Sequence, residues 1–189
     1  DLTEKFFVIT YHPVTLKLKT SSLAVAALVE ALGHFDKTCM LFTGVNSDPG
    51  NRAVNETLTA FVKNDPTRRT MFASLGQRRY LSALREADIV IGNSSSGLIE
   101  APAFGIPTVN IGDRQKGRLR GGSVIDCTDS ADDIRDAIER ALDPKFHQRT
   151  KAMEPPYGRS GAAEKIATIL SRVDVTQLST KPFHDIIAL

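Results

Sequence analysis

The residue types that can bind or move charge gather in loops that follow short apolar runs. The sharpest of these loops is Gly92-Asn93-Ser94-Ser95-Ser96-Gly97, which leads into Leu98-Ile99-Glu100. A strand that ends in glycine and passes through small hydroxyl residues into a helix offers an anion free N–H groups and a positive dipole end. The three hydroxyls add hydrogen bonds without blocking approach. Glu100, one turn into that helix, can accept both hydroxyls of a ribose. The same residues also make a plain helix cap, with Glu100 favoured near the helix N-terminus by the dipole. Both readings stand.

A second loop, Gly112 to Gly122, carries Arg114, Lys116, Arg118 and Arg120 against Asp113. In an extended loop alternate side chains share a side, so these four can form a diphosphate clamp, with arginine giving forked hydrogen bonds. A solvated charge run is the plain alternative. Nucleic-acid contact is disfavoured, because no aromatic residue is interleaved for stacking. His12 stands at a strand end and is held extended by Pro13. A histidine there can donate to phosphate or move a proton near neutral pH, although a lone loop histidine is more often only a surface residue. Asn46 lies in a further polar loop, Gly44 to Asn51. His34, His147, His184 and both cysteines lack partners at ligand spacing, so no metal site is expected. Neither a Walker-type phosphate loop nor a G-x-G-x-x-G after the first strand occurs, and Gly92 to Ser96 lacks the second glycine of a nucleophile elbow.

These loops need a scaffold. The apolar runs 6–10, 39–43, 70–73, 89–92, 108–111 and 123–126 suit strands buried on both faces of a parallel sheet. Helical patterns lie between them. Ser22 to Leu32 stops at Gly33, Val54, Leu58, Phe61 and Val62 form a stripe, and Tyr80, Leu81 and Leu84 form another. Ile134, Ala137, Ile138, Ala141 and Leu142 make a fourth stripe, closed by Asp143-Pro144, and a last helix runs from about Gly161 to Arg172. The alternation predicts an α/β protein with a Rossmann-like open, mainly parallel sheet and helices on both faces. Pro155-Pro156-Tyr157-Gly158 is the clear linker before the last helix.

With 189 residues, 41% hydrophobic and 24% charged, the chain falls in the ordinary globular range. Its 24 basic residues nearly cancel its 22 acidic ones, so no global field points to nucleic acid. No segment matches a membrane span or a signal peptide, and a cytoplasmic location is expected. Cys39 and Cys127 are expected to be small buried hydrophobes in a reducing compartment. The chain opens Asp1-Leu2-Thr3, without a methionine, which suggests a piece of something longer.

The segment GNSSSGLIEAPAFGIPTVNIGDRQKGR (Gly92 to Arg118), with His12-Pro13-Val14-Thr15 earlier, resembles the hydrolysing UDP-N-acetylglucosamine 2-epimerases of sialic-acid-type pathways. Non-hydrolysing relatives carry Arg-x-x-Thr-Glu-Arg-Pro-Glu after the fifth strand, whereas this chain has Arg114-Gln115-Lys116-Gly117-Arg118-Leu119-Arg120. The loop from Ser47 to Arg52 is written closer to bacterial than to animal members.

The resemblance implies the C-terminal half of a GT-B-type two-domain enzyme with its active site in the cleft between domains. Residues 1–158 would form the UDP-binding domain, and 159–189 a helix and tail crossing to a missing N-terminal domain. It further implies that Ser94 and Ser95 bind the diphosphate and Glu100 the ribose. Arg114 and His12 would reach the phosphates or the glycosidic oxygen, His12 as the catalytic group. Phe72 to Leu75 would lie against uracil, with Leu75 at the base, and Asn46 would line the cleft. The implied partners are UDP, UDP-N-acetylglucosamine and the missing domain, with self-association of the chain through its last helix and no nucleic acid, membrane or cofactor. The fragment alone is expected to be inactive. Two alternatives remain at this stage, a GT-B glycosyltransferase domain and a stand-alone nucleotide-sugar binding module.

Overall fold

The computed structural model describes residues 5–14, 18–46, 48–158, 160–174 and 176. Asp1 to Thr3, Thr15, Ser47 and the tail from residue 177 lie outside them. The described residues fall into two compact units, divided after Gly158.

The first unit is built on six parallel strands: β1 (Lys5–Thr10), β2 (Thr38–Thr43), β3 (Arg69–Phe72), β4 (Ile89–Gly92), β5 (Thr108–Ile111) and β6 (Val124–Cys127). They hydrogen-bond in the order β3-β2-β1-β4-β5-β6, the doubly wound order of a Rossmann-like sheet. The six runs read from the sequence coincide with these strands to within a residue or so. Side chains alternate faces with the pleat. Phe7 and Ile9 of β1 join α1 (Leu18–Leu32), α2 (Asn51–Lys63) and α5 (Ala131–Leu142) in the larger core cluster. Val8, between them, points to the opposite face and packs with Leu41, Val90, Ile106 and Leu84 of α3 (Gly76–Glu86). That face is the thinner of the two, and α3 buries only Leu84 fully.

After β4 the helix α4 is one turn, Ser96–Ile99, and a 3-10 segment follows at Ala101–Phe104. Pro102 lacks an N–H and disfavours α geometry in the residue before it, so an α-helix cannot continue there. The helix expected after the serine loop is present but only one turn long, with a correspondingly small dipole. Asp143-Pro144, taken from the sequence as a stop, also starts a helix. Asp143 accepts from the Phe146 N–H at 2.9 Å and Pro144 takes the first helical position of α6 (Pro144–Ala152). Both cysteines are free and half-buried rather than fully buried. Burial pushes the Cys127 thiol up to about 12, with nearby Asp133, Asp126 and Asp129 adding to it. The second unit contains α7 (Ala162–Leu170), none of whose residues is buried.

At the sheet's centre the chain approaches itself closely. Gly92 has φ 135°, and a Cβ there would stand 1.9 Å from the Thr10 carbonyl oxygen across the β1–β4 pair. Gly76 has φ 63°, but open space surrounds its Cβ position. Gly92→Ala is therefore expected to cost about 3 kcal/mol or more. Gly76→Ala, with strain and no clash, should cost about 1 kcal/mol. Urea denaturation of the two variants checks the difference.

Candidate functional site

In a doubly wound sheet the strand order reverses between β1 and β4, and loops leaving their carboxyl ends part to form a crevice. Here Asn93 holds the two loops together. Its Oδ1 accepts from the His12 N–H and its Nδ2 donates to the His12 carbonyl, each at 2.8 Å. The amide thus supplies the donor and acceptor that a strand neighbour would have given. The Asn93 N–H donates to the Thr10 carbonyl at 3.2 Å. Its own carbonyl accepts from Arg114 Nη1 at 3.0 Å and from Gln115 Nε2 at 2.7 Å, which ties in the loop after β5. Asn93 is 1% exposed, so these bonds lie away from competing water.

His12 is further fixed by the Asn46 N–H, which donates to its Nδ1 at 3.2 Å. A neutral ring accepting at Nδ1 carries its proton on Nε2. Burial lowers the His12 pKa below 6.5, the Arg114 guanidinium lowers it further, and Asp48 opposes both. The side-chain amide of Asn46 donates to Asp48.

The crevice is a cleft of about 400 Å³, with His12 and Thr10 on one wall and Ser94, Ser96 and Glu100 on another. Leu75, Gly76 and Tyr80 contribute from the β3–α3 loop and from α3. Ser94 Oγ accepts from the Ser96 N–H at 3.4 Å, while Ser95, at the cap position of α4, makes no side-chain cap bond. The Ser95 hydroxyl is thus not spent on an ordinary N-cap. Glu100 makes no salt bridge among the described residues. Hydroxyls form the floor. Thr10 and Thr43 share a hydrogen bond of 2.6 Å, as do Tyr80 and Ser96. Burial raises the Tyr80 pKa, so the phenol is neutral at pH 7.

Four of the residues singled out from the sequence, His12, Leu75, Ser94 and Glu100, line this cleft together. Asn46 supports His12 from the side, Ser95 begins α4, and Arg114 stands behind Asn93. The four basic residues of the loop after β5 do not share one side. Gly112 and Gly117 have positive φ, which folds the loop into turns rather than leaving it extended. Arg120 is drawn back to Asp126 and the Gln115 carbonyl, and Lys116 and Arg118 are exposed. Thr10, Thr43 and Tyr80 escaped the sequence reading as site residues. The signal was the pair of strands each ending in threonine. A second cleft of about 280 Å³ lies beyond β1 and includes Asp113 and Asp129, charges that disfavour an anionic ligand. Among the described residues no group of three His, Cys, Asp or Glu side chains could hold a metal ion, and no helix is long and apolar enough to cross a membrane.

Residues 1–171 match the sequence family described as UDP-N-acetylglucosamine 2-epimerase. The chain is 35% identical over 186 residues to the GDP/UDP-N,N'-diacetylbacillosamine 2-epimerase (hydrolyzing) of Campylobacter jejuni, a match covering 98% of this chain and 48% of that protein. It is 33% identical over 186 residues to polysialic acid biosynthesis protein P7 of Escherichia coli, covering 98% and 46%. Its fold is similar to the crystal structure of the Neisseria meningitidis UDP-GlcNAc 2-epimerase bound to UDP-GlcNAc, with TM-score 0.65, 15% identity, and coverage of 92% of this chain and 45% of that one. The chain spans about half the length of the curated relatives it matches.

Asn93→Ala strands the His12 N–H and carbonyl and should destabilise the chain by about 2–4 kcal/mol in urea melts. A second expectation concerns pH. Because the native His12 pKa lies below 6.5, the unfolded chain takes up the proton first. The stability this gives is complete above pH 6.5 and is lost as pH falls from there through the lowered native value. Urea midpoints measured from about pH 7.5 down to about pH 5 should fall in the wild type and fall less in His12→Asn.

Proposed function

The chain belongs to the UDP-N-acetylglucosamine 2-epimerase family, and from that premise we propose that it is the UDP-binding half of a hydrolysing UDP-N-acetylglucosamine 2-epimerase. The observation that carries the proposal is the convergence of Ser94, Glu100 and His12 on one cleft at the strand-order reversal between β1 and β4.

In this reading the ribose hydroxyls lie on Glu100, and the diphosphate lies on the N–H groups and hydroxyls of the Ser94–Ser96 loop. Uracil lies along the Leu75 segment. The reaction removes the sugar's C2 proton and breaks the bond from C1 to the diphosphate oxygen. The electron pair leaves with UDP, and a 2-acetamidoglucal remains. Water then adds across C1–C2, hydroxyl to C1 and proton to C2 from the other face, which releases N-acetylmannosamine. Charge grows on the departing diphosphate, and fixed neutral donors around it stabilise that charge without reorganising. His12 carries a proton on Nε2 and donates it as a hydrogen bond to the leaving oxygen, while Arg114 supplies positive charge from behind Asn93.

The proton transfers at C2 and C1 need acid/base groups on the opposite side of the sugar. These belong to the remaining half of the enzyme, which the residue 159–189 unit would reach. That half would also choose between N-acetylglucosamine and a 2,4-diacetamido sugar, since contacts to UDP are common to both.

The 189-residue chain is accordingly expected to bind UDP and to release no amino sugar from UDP-N-acetylglucosamine. Calorimetric titration with UDP should give saturable heat, and its absence at millimolar UDP would contradict the proposal. Glu100→Gln should weaken UDP about 10-fold, as expected for loss of hydrogen bonds to a charged acceptor. The variant should also narrow the preference for UDP over its 2′-deoxy analogue.

A further inference from the structure

Four side-chain hydroxyls lining the cleft are bonded to one another in pairs. Thr43, Thr10, Tyr80 and Ser96 come from the end of β2, the end of β1, α3 and the start of α4. Thr43 and Thr10 are joined at 2.6 Å and Tyr80 and Ser96 at 2.6 Å, and in each pair either oxygen can be the donor. In the Tyr80–Ser96 pair each hydroxyl owns one proton, and the link consumes one of the two. One O–H of the pair is left over. If Tyr80 donates, the spare proton is on Ser96; if Ser96 donates, the spare proton is on Tyr80.

The direction matters because, among the described residues, no lysine or arginine lines this cleft; its walls offer the His12 ring, the Gln77 amide, hydroxyls, N–H groups and one carboxylate, Glu100. An anion seated at the serine loop is recognised by neutral donors, and it gains most when Ser96 points its proton outward. That state requires Tyr80 to donate to Ser96 Oγ. A hydroxyl that accepts a hydrogen bond becomes the stronger donor.

We propose that Tyr80 is a positioning residue, whose phenol donates to Ser96 Oγ and so commits the Ser96 hydroxyl to the diphosphate of the bound nucleotide. The proposal rests on the UDP-binding reading of this cleft and adds to it the group that sets the polarity of its floor. Tyr80 touches the ligand through Ser96 and does not act on the reacting bonds. Its ring also packs against the smaller core cluster, so a purely structural role is the alternative to be separated.

The separating experiment is a double-mutant cycle on the 189-residue chain with Tyr80→Phe, Ser96→Ala and the double variant. UDP binding is read by calorimetry and uridine binding by NMR shift titration. Tyr80→Phe keeps the ring and its packing. It should weaken UDP about 5- to 10-fold, the loss of one net hydrogen bond. Ser96→Ala should do the same, and the double variant should be no weaker than the weaker single variant, since both break one linked unit. Uridine, which lacks the diphosphate, should bind all four proteins alike. Unchanged UDP affinity in Tyr80→Phe would overturn the proposal. So would additive losses, or equal losses for UDP and uridine, which mark a structural role. A wild-type chain that binds neither ligand would overturn the UDP-binding reading itself, and this proposal with it.

Discussion

The amide of Asn93 is the constraint on which the site depends. Where β1 and β4 end, their loops part in opposite directions, and the backbone groups of His12 lose the partners a longer sheet would supply. Buried groups in that condition are costly to leave unpaired. Asn93 satisfies both with one side chain and uses its own carbonyl to fasten Arg114 and Gln115 from the next loop. Three loops are thus fixed to one residue. The approach this requires is close enough that only glycine fits at position 92. The crevice is held open by its hydrogen bonds, which suits a site that must meet its ligand already formed.

The electrostatics of the site follow from that framework. His12 is held neutral by burial and by the neighbouring arginine. Among the described residues, the remaining donors lining the cleft are hydroxyls, backbone N–H groups and the Gln77 amide, with Glu100 as the single charged side chain. The near-zero net charge of the whole chain is matched locally, since the basic residues after β5 mostly turn outward or pair with Asp126. A diphosphate leaving group is served well by such a site, because preorganised dipoles stabilise developing charge without having to move. In the proposed role, a chain about half as long as its relatives would hold the nucleotide, and groups elsewhere would act on the sugar.

Much of this was legible in the sequence, for identifiable reasons. Strands buried on both faces are nearly continuous apolar runs, so IVIG and TVNI declared themselves, and Val54, Leu58 and Phe61 marked the face of α2. The serine loop with Glu100 could be found because small hydroxyl residues after a strand-terminal glycine leave few other uses. Four features were hidden. Asp143-Pro144 carries both a stop and a start signal, and only the stop was read, so α6 was missed. A period of two suggested a shared side for the basic loop, but glycines at positive φ turned it. Tyr80 lies on the same helical stripe as Leu84, and periodicity cannot tell the buried end of a stripe from the end that reaches a cleft. The Asn93 clamp joins residues far apart in sequence, and no local pattern announces it.

The central claim is that the nucleotide sits between the ends of β1 and β4, on the serine loop and Glu100. Amide-shift mapping of the isotopically labelled chain during titration with UDP tests it most directly. Saturable shifts are expected, concentrated at Ser94, Ser95, Ser96, Glu100 and the Leu75–Gln77 segment. Shifts confined to the acidic cleft around Tyr11, Asp113 and Asp129, or no shifts at all, would contradict it.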